Sequence, residues 1–540
     1  MDKPLMRALQ SPETSGSSAG VLAVAPPTNV ARQPSAPGGW WTYSVYTLIA
    51  VGYLSLTLVT LLLASLTSRA ASPTLETLTY HEDSTRRGEF VVPALSFRQA
   101  RHLHLDQSFQ PHIAGHVYAQ PLYVRGASGR PTLLVATESD TVYALDATSG
   151  RTVWQRTVGR PVRLGSLPCG NINPLGITGT PVIDAAHHAV YLDAMMQDPR
   201  SGAPTHELFA LSLENGSTLP GWPVDVASLL KRRGFAFDPS VQNQRGALIA
   251  LGDRVYVPYG GNSNDCGRYH GWVIGVSLEN PRRSVIWHTA AWGGGVWAPG
   301  GIASDGQVLY FATGNTMGAH TWGNGEAVFR LPPSLDFSGA PREFFAASNW
   351  RELNADDADL GGTAPLLFAI GEHHYALALG KDGDAYLLDR DDLGGFGASL
   401  ASERVSTWRI ITAAAEYPDA GSAMIAFEAP GSDCPIPAAQ GDLTVIAVSP
   451  GADPALRTAW CGLVSGRGAP IVTSTDGRHD PIVWVLGAQG DERLHGFRGD
   501  NGRALYISPI LPGLREFVTP IVTQHRLYVG ADNTVYAFAF

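Results

Sequence analysis

The chain has 540 residues, with 60 glycines and 38 prolines, too long for one compact core unless the core is repeated. Its formal net charge is −10 and its longest basic run is Lys231-Arg232-Arg233, too short for the electrostatic footprint of a nucleic-acid-binding face. Its four cysteines lack CxxC spacing, which argues against structural zinc and leaves two disulfides as the expectation for a domain outside the cytoplasm.

Residues 1–39 are rich in Ser, Pro, Ala and Gly, lack periodicity, and read as a disordered tail. Residues 43–66, YSVYTLIAVGYLSLTLVTLLLASL, contain no charge and are long enough to cross a bilayer as a helix. Trp40, Trp41 and Tyr43 stand at one end, where aromatic rings favour the headgroup layer, so 40–66 is assigned as a transmembrane helix. Ser68-Arg69-Ala70 offers small residues for signal cleavage, but the apolar stretch exceeds a usual signal core, so an uncleaved anchor is expected. Arg32 and Arg69 flank it on either side and leave its orientation open. Residues 67–95 are polar and aperiodic and read as a linker.

From residue 96 onward one meander repeats. Residues 133–155, LLVATESDTVYALDATSGRTVWQ, show it best: two apolar strands around a polar break, a turn, and a third strand. In the turn, Asp146 bonds the local backbone and Gly150 supplies a positive φ. Most units open with a small residue or Gln, then Pro, then an aliphatic residue. The openers are Gln120-Pro121-Leu122, Thr180-Pro181-Val182, Ala364-Pro365-Leu366, Ala469-Pro470-Ile471 and Thr519-Pro520-Ile521. Proline lacks an N–H, so it suits the first residue of a strand. A third-strand phrase recurs from Thr141, Leu208, Trp272, Ala385, Leu443, Leu494 and Thr534. With a divergent unit at 297–348 these give eight units. The last stops after three strands, and residues 97–109 would supply its fourth. The expected fold is all-β: an eight-bladed propeller of four-stranded antiparallel blades over residues 96–540, with seven blades as the alternative.

The phrase YALDATSGRTVW resembles the blade motif of the pyrroloquinoline quinone (PQQ) type of propeller, the quinoprotein alcohol dehydrogenase-like superfamily, and the resemblance covers residues 95–540. The motif speaks for fold more than chemistry, because non-catalytic propellers share it. GITGTPVID, DCGRYHGW and GKDGDAYLLDRDDLGG also resemble a set of exported bacterial proteins that carry this propeller. The resemblance implies a defined site. PQQ accepts a hydride, calcium polarises a quinone oxygen, and an aspartate removes the alcohol proton. A tryptophan stacks under the ring, a cation sits by the quinone oxygens, and a disulfide between adjacent cysteines lies above.

Trp297, after a glycine run, takes the stacking position, and Asn315 of YFATGN takes a calcium-ligand position. Lys381 stands where the cation is expected, and Asp265, offset by about one residue, is the nearest carboxylate for the metal. Two departures oppose turnover. Leu331 falls where the catalytic aspartate is expected, with Glu326 and Asp336 available only after a shift, and no two cysteines are adjacent. Cys169 with Cys266, and Cys434 with Cys461, are the candidate disulfides. Elsewhere, His187-His188 and His373-His374 point to opposite faces, and His102 and His104 lack a third ligand; all read as structural. Asp356, Asp357 and Asp359 could line the funnel mouth or bind a cation, and read first as a solvated loop. No phosphate-binding loop, hydrolase elbow or zinc-protease motif is present.

The expectation is therefore a propeller on the periplasmic or extracellular side of a bacterial membrane, held by a single span. It would bind a protein or small molecule at its axis with an incomplete quinoprotein site and without turnover. The alternative is a PQQ- and calcium-dependent dehydrogenase of alcohols or sugars.

Overall fold

The computed structural model describes residues 75–126, 129–435, 440–451 and 453–540. These form eight sheets of four or five strands. Blade one is Leu122–Arg125, Pro131–Thr137, Thr141–Asp146 and Thr152–Thr157, antiparallel throughout. The inner strands of the next seven blades are Val182–Asp184, Ile249–Leu251, Ala303–Ser304, Leu366–Ile370, Ala415–Asp419, Ile471–Ser474 and Ile521–Val522. In five blades the opener proline immediately precedes the inner strand, at 121, 181, 365, 470 and 520. Each third-strand phrase is the third strand of its blade.

The described residues share no single core. Apolar side chains of each blade interdigitate with those of the next. Leu134 of blade one packs with Phe209 of blade two, and Tyr310 of blade four with Tyr386 of blade five. The ring closes through Tyr143 and Leu145 of blade one against Tyr528 and Ala537 of blade eight. Closure is also made by pairing. His104–Leu105 adds to Thr534–Ala539 as the outer strand of blade eight, so residues 97–109 supply the fourth strand as expected. The eight-blade count stands and the seven-blade alternative falls.

The expected transmembrane helix and the tail before it lie outside the described residues. Among those residues, no helix is long and apolar enough to cross a membrane. The region read as a linker behaves differently from Leu75 onward, where it belongs to the compact unit Leu75–Phe540. Residues 77–92 form a strap around the hub that bonds to all eight blades. Thr77 pairs with Tyr123 of blade one, and Leu78 O accepts from Ile183 N–H of blade two at 2.8 Å. The carbonyls of Ser84, Thr85, Arg87 and Gly88 accept from Ser304, Leu367, Glu416 and Val472, in blades four to seven. Glu89–Val91 then lies parallel to Ile471–Ser474. His81 Nε2 meets Thr519 Oγ1 before blade eight at 3.2 Å. Arg86, 2 % exposed, donates to Leu248 O beside blade three, to Ile302 O, Tyr80 O and Thr79 Oγ1. The strap satisfies edge N–H groups that the inner strands otherwise leave unpaired.

Arg86→Met leaves the carbonyls of Leu248, Ile302 and Tyr80 without this donor. Each unsatisfied buried group costs about 1–3 kcal/mol, so a loss of about 3 kcal/mol or more is expected in chemical denaturation of the full chain. A loss below about 1 kcal/mol would show that the strap is not held this way.

Asp140, in the turn between the second and third strands of blade one, is fully buried, and neither carboxylate oxygen has a partner among the described residues. Burial, then the Glu138 carboxylate, pushes its pKa up to about 9. The folded state therefore holds a proton that the unfolded chain releases near pH 4. Stability from this group is full below about pH 4 and falls as pH rises towards 9. Asp140→Asn should flatten that slope, read as urea midpoints at pH 5 and pH 8.5; identical slopes for both proteins would contradict it.

Candidate functional site

The connections that enter the inner strands, and the hairpins between second and third strands, converge at one mouth of the hub around a cavity of about 300 Å³. Trp297 reaches it from the connection into blade four, and Asn315 from the second hairpin of that blade. Asp359 comes from the connection into blade five, and Lys381 from that blade's second hairpin. Asp265 comes from the corresponding hairpin of blade three. All four residues assigned to cofactor and metal from the sequence, Trp297, Lys381, Asn315 and Asp265, therefore line one space.

Local backbone bonds fix this arrangement. Gly293 bridges to Thr316, Gly294 N–H donates to Asn315 O at 2.7 Å, and Gly314 N–H to Gly295 O at 3.1 Å. The tryptophan loop and the asparagine loop thus move as one piece. Gly260 allows the close approach of Trp297: a Cβ there would lie 2.9 Å from the Trp297 Cβ.

Asp359 organises the polar side. It is 2 % exposed. Its Oδ1 accepts from Asn315 N–H at 2.6 Å; its Oδ2 accepts from Trp297 Nε1 at 3.2 Å and from Lys381 Nζ at 2.5 Å. Lys381 also meets Asp357 at 3.0 Å and lies 5.2 Å from the Trp297 ring centroid. Burial pulls the lysine pKa down, but the Asp359 and Asp357 carboxylates together outweigh it and raise it above the ordinary value. Behind them Glu326 is fully buried. Its Oε2 accepts from Leu360 N–H at 2.7 Å, and its Oε1 has no partner among the described residues. Burial, then the Asp359 carboxylate, raises the Glu326 pKa well above the carboxylate range. Glu326 holds the proton of this pair, because Asp359 receives three donors and Glu326 one.

Leu331, expected at the base position, lies away from the cavity. Leu331 ends the strand Ala327–Leu331 and pairs with Leu309, whereas the cavity end of that hairpin is the pair of Thr313 with Ala327. Four residues of strand carry Leu331 about 13 Å from that end, into the apolar layer between blades three and four. Asp336 is exposed in the loop beyond. The buried carboxylate at the cavity is Asp359, from the cluster read as a solvated loop; Asp265, Asp357 and Glu516 also line the space.

Both disulfides form, Cys169–Cys266 and Cys434–Cys461. The first joins the connection into blade two to the turn carrying Asp265, beside the cavity. Tyr269 OH donates to Asp265 Oδ1 at 2.5 Å. Across the cavity stand Arg245 and Arg409, neither ion-paired among the described residues, and Glu516, which meets Arg467 at 2.8 Å. Below, Tyr80 of the strap packs among Ala247, Ala413 and Ala469 and shares a small void with Arg245, Glu516 and Phe517. The strap is thus the floor of the site.

No protein-family model matches the chain, and no curated protein matches it. Solved structures do. A quinohemoprotein alcohol dehydrogenase from Comamonas testosteroni aligns over 87% of this chain and 81% of its own, with TM-score 0.62 and 14% identity. A europium-containing methanol dehydrogenase aligns over 85% and 89%, with TM-score 0.59 and 14% identity. A quinohemoprotein alcohol dehydrogenase from Pseudomonas putida aligns over 84% and 75%, with TM-score 0.59 and 13% identity. The chain shares the eight-bladed fold of these dehydrogenases, and at these identities the likeness is one of fold.

A Cβ on Gly314 would lie 2.6 Å from Asp359 Oδ1 and 3.1 Å from Trp297 Nε1. Gly314→Ala should therefore destabilise the full chain by about 1–3 kcal/mol in chemical denaturation, as overpacking does. An unchanged midpoint would show that Asp359 moves aside freely.

Proposed function

We propose that this protein is an extracytoplasmic quinoprotein dehydrogenase that oxidises an alcohol or sugar, with Asp359 as the base. One observation carries the reading: Trp297, Lys381 and the buried Asp359 carboxylate converge on a single hub cavity. The two disulfides suit an oxidising compartment, and residues 43–66 would anchor the propeller to the membrane as a single span.

PQQ suits the donor set. It is planar and polyanionic, and the cavity offers an indole, an ammonium group, and the two guanidinium groups of Arg245 and Arg409 without carboxylate partners among the described residues. When bound it would accept a hydride from the substrate carbon. Calcium suits the site less well. Both Asp359 oxygens already take donors from the chain, and no group of three His, Cys, Asp or Glu side chains that could hold a metal occurs among the described residues.

The chain's own contribution is positioning and proton handling. Asp359 is fixed by Asn315 N–H and Trp297 Nε1; burial raises its pKa, while the Lys381 ion pair opposes that rise and favours the carboxylate that would accept the hydroxyl proton at Oδ2. Lys381 places positive charge where negative charge grows as the proton leaves. The strap excludes solvent from below.

A second reading, a ligand-binding propeller without turnover, is favoured by the engagement of both Asp359 oxygens. Reconstitution separates the two. The purified full chain is mixed with PQQ, with and without calcium, and assayed for a bound-quinone spectrum and for dye reduction with alcohols and aldoses. The dehydrogenase reading expects both signals. Trp297→Ala should weaken binding, and Asp359→Asn should keep binding while lowering turnover by about a hundredfold or more. Binding without turnover would leave the second reading; no bound quinone would end the quinoprotein reading.

A further inference from the structure

A second cavity, of about 210 Å³, opens on the same face between blades five and seven. Arg409 lines both cavities. Glu428, at the end of Ser422–Glu428, lines the second one. It is 5 % exposed and has no side-chain hydrogen bond or ion pair among the described residues. Asp442 faces it from the other side of the hairpin and accepts from Gly466 N–H at 3.1 Å. Arg467 also lines the cavity, with its guanidinium committed to Glu516 at 2.8 Å.

The rim is an indole. Trp408 is 57 % exposed, yet its backbone is pinned. Its N–H donates to Ser406 Oγ at 3.0 Å, and that hydroxyl meets Trp408 O and Pro430 O, both at 2.8 Å. Pro430 is itself part of the wall. The same wall is braced by the Cys434–Cys461 disulfide, next to Gly431 and Thr444. An exposed indole on a pinned turn, above a buried unpartnered carboxyl, is a built site.

Its chemistry selects a ligand class. A carboxyl as buried as Glu428 and without a cationic partner stands as the neutral acid; burial, then Asp442, pushes its pKa up to about 9. A neutral carboxyl donates one hydrogen bond and accepts another, as a hydroxyl does. Asp442 accepts, Arg409 donates, and the indole offers a flat apolar face. A free anion would meet Asp442, and an ammonium ion would meet Arg409. A ring with alternating hydroxyls and an apolar face satisfies every group.

We propose that the second cavity is a saccharide-binding site, with Trp408 as platform and Glu428, Asp442 and Arg409 as hydroxyl partners. The volume, below the roughly 300 Å³ of drug-sized pockets, suits one sugar ring. Through Arg409 a longer saccharide reaches from this seat to the first cavity. That use, as the seat for the remote part of an oxidised sugar, rests on the dehydrogenase reading; the binding itself does not.

The test uses the purified full chain without PQQ. D-glucose, D-galactose and maltose are titrated by calorimetry and tryptophan fluorescence. Saturable binding is expected, weakened about tenfold, the equivalent of roughly one hydrogen bond, in Glu428→Gln and in Asp442→Asn. Trp408→Ala, at an exposed position, should remove the fluorescence response and weaken binding as well. Circular dichroism checks the fold of each variant. No saturable binding of any of the three sugars, or affinities unchanged in all three variants, overturns the proposal. Sugar binding without quinone binding would keep this site and discard the dehydrogenase reading; quinone binding without sugar binding would do the reverse.

Discussion

Everything at the hub depends on backbone hydrogen bonds between the strap and the inner strands. A propeller leaves the innermost edge of each blade facing the axis with unpaired N–H groups. Here the carbonyls of Leu78, Ser84, Thr85, Arg87 and Gly88 accept them in turn, and Arg86 serves carbonyls beside blades three and four. The channel acquires a floor, and the cavity above it acquires one mouth. Without the strap the same loops would line an open channel, where an ion pair such as Lys381 with Asp359 would be screened by water.

The site then follows from connectivity. Each chain segment entering an inner strand passes the hub mouth just before the strand begins. Arg245, Trp297, Asp359, Arg409 and Glu516 all occupy that stage of their own blades. The repeat therefore supplies equivalent positions around one axis, and chemistry is written by which side chain each blade places there. The small residues Ala247, Ala413 and Ala469 close in around Tyr80 below. The layering is charged residues above and an apolar hub beneath.

Much of this was legible in the chain. Five opener prolines and seven third-strand phrases fell on their strands, because proline's missing N–H and the pleat's alternation are local requirements. The strap was not legible. It touches eight different blades and bonds mainly through carbonyls, so its side chains show no period. Asp359 was hidden among three aspartates: Asp357 also reaches the cavity but stays exposed, and only Asp359 is buried, with its carboxylate bonded to the loops of Trp297 and Asn315. Leu331 misled because counting along the strand from Glu326 runs away from the cavity towards the opposite end of the blade.

The placement of the disulfides connects stability to function. The blades are held by apolar layers that fill the space between every neighbouring pair, so the wheel itself needs no covalent help. The loops at the mouth lie outside those layers and hold the side chains that line the cavities. One disulfide fixes the turn of Asp265 at the first cavity, and the other fixes the wall next to Gly431 at the second. A cross-link acts by removing alternative loop conformations from the ensemble. Placed here rather than between blades, that restriction falls on the segments whose geometry a ligand would read, and Arg409 ties the two braced regions into one continuous surface.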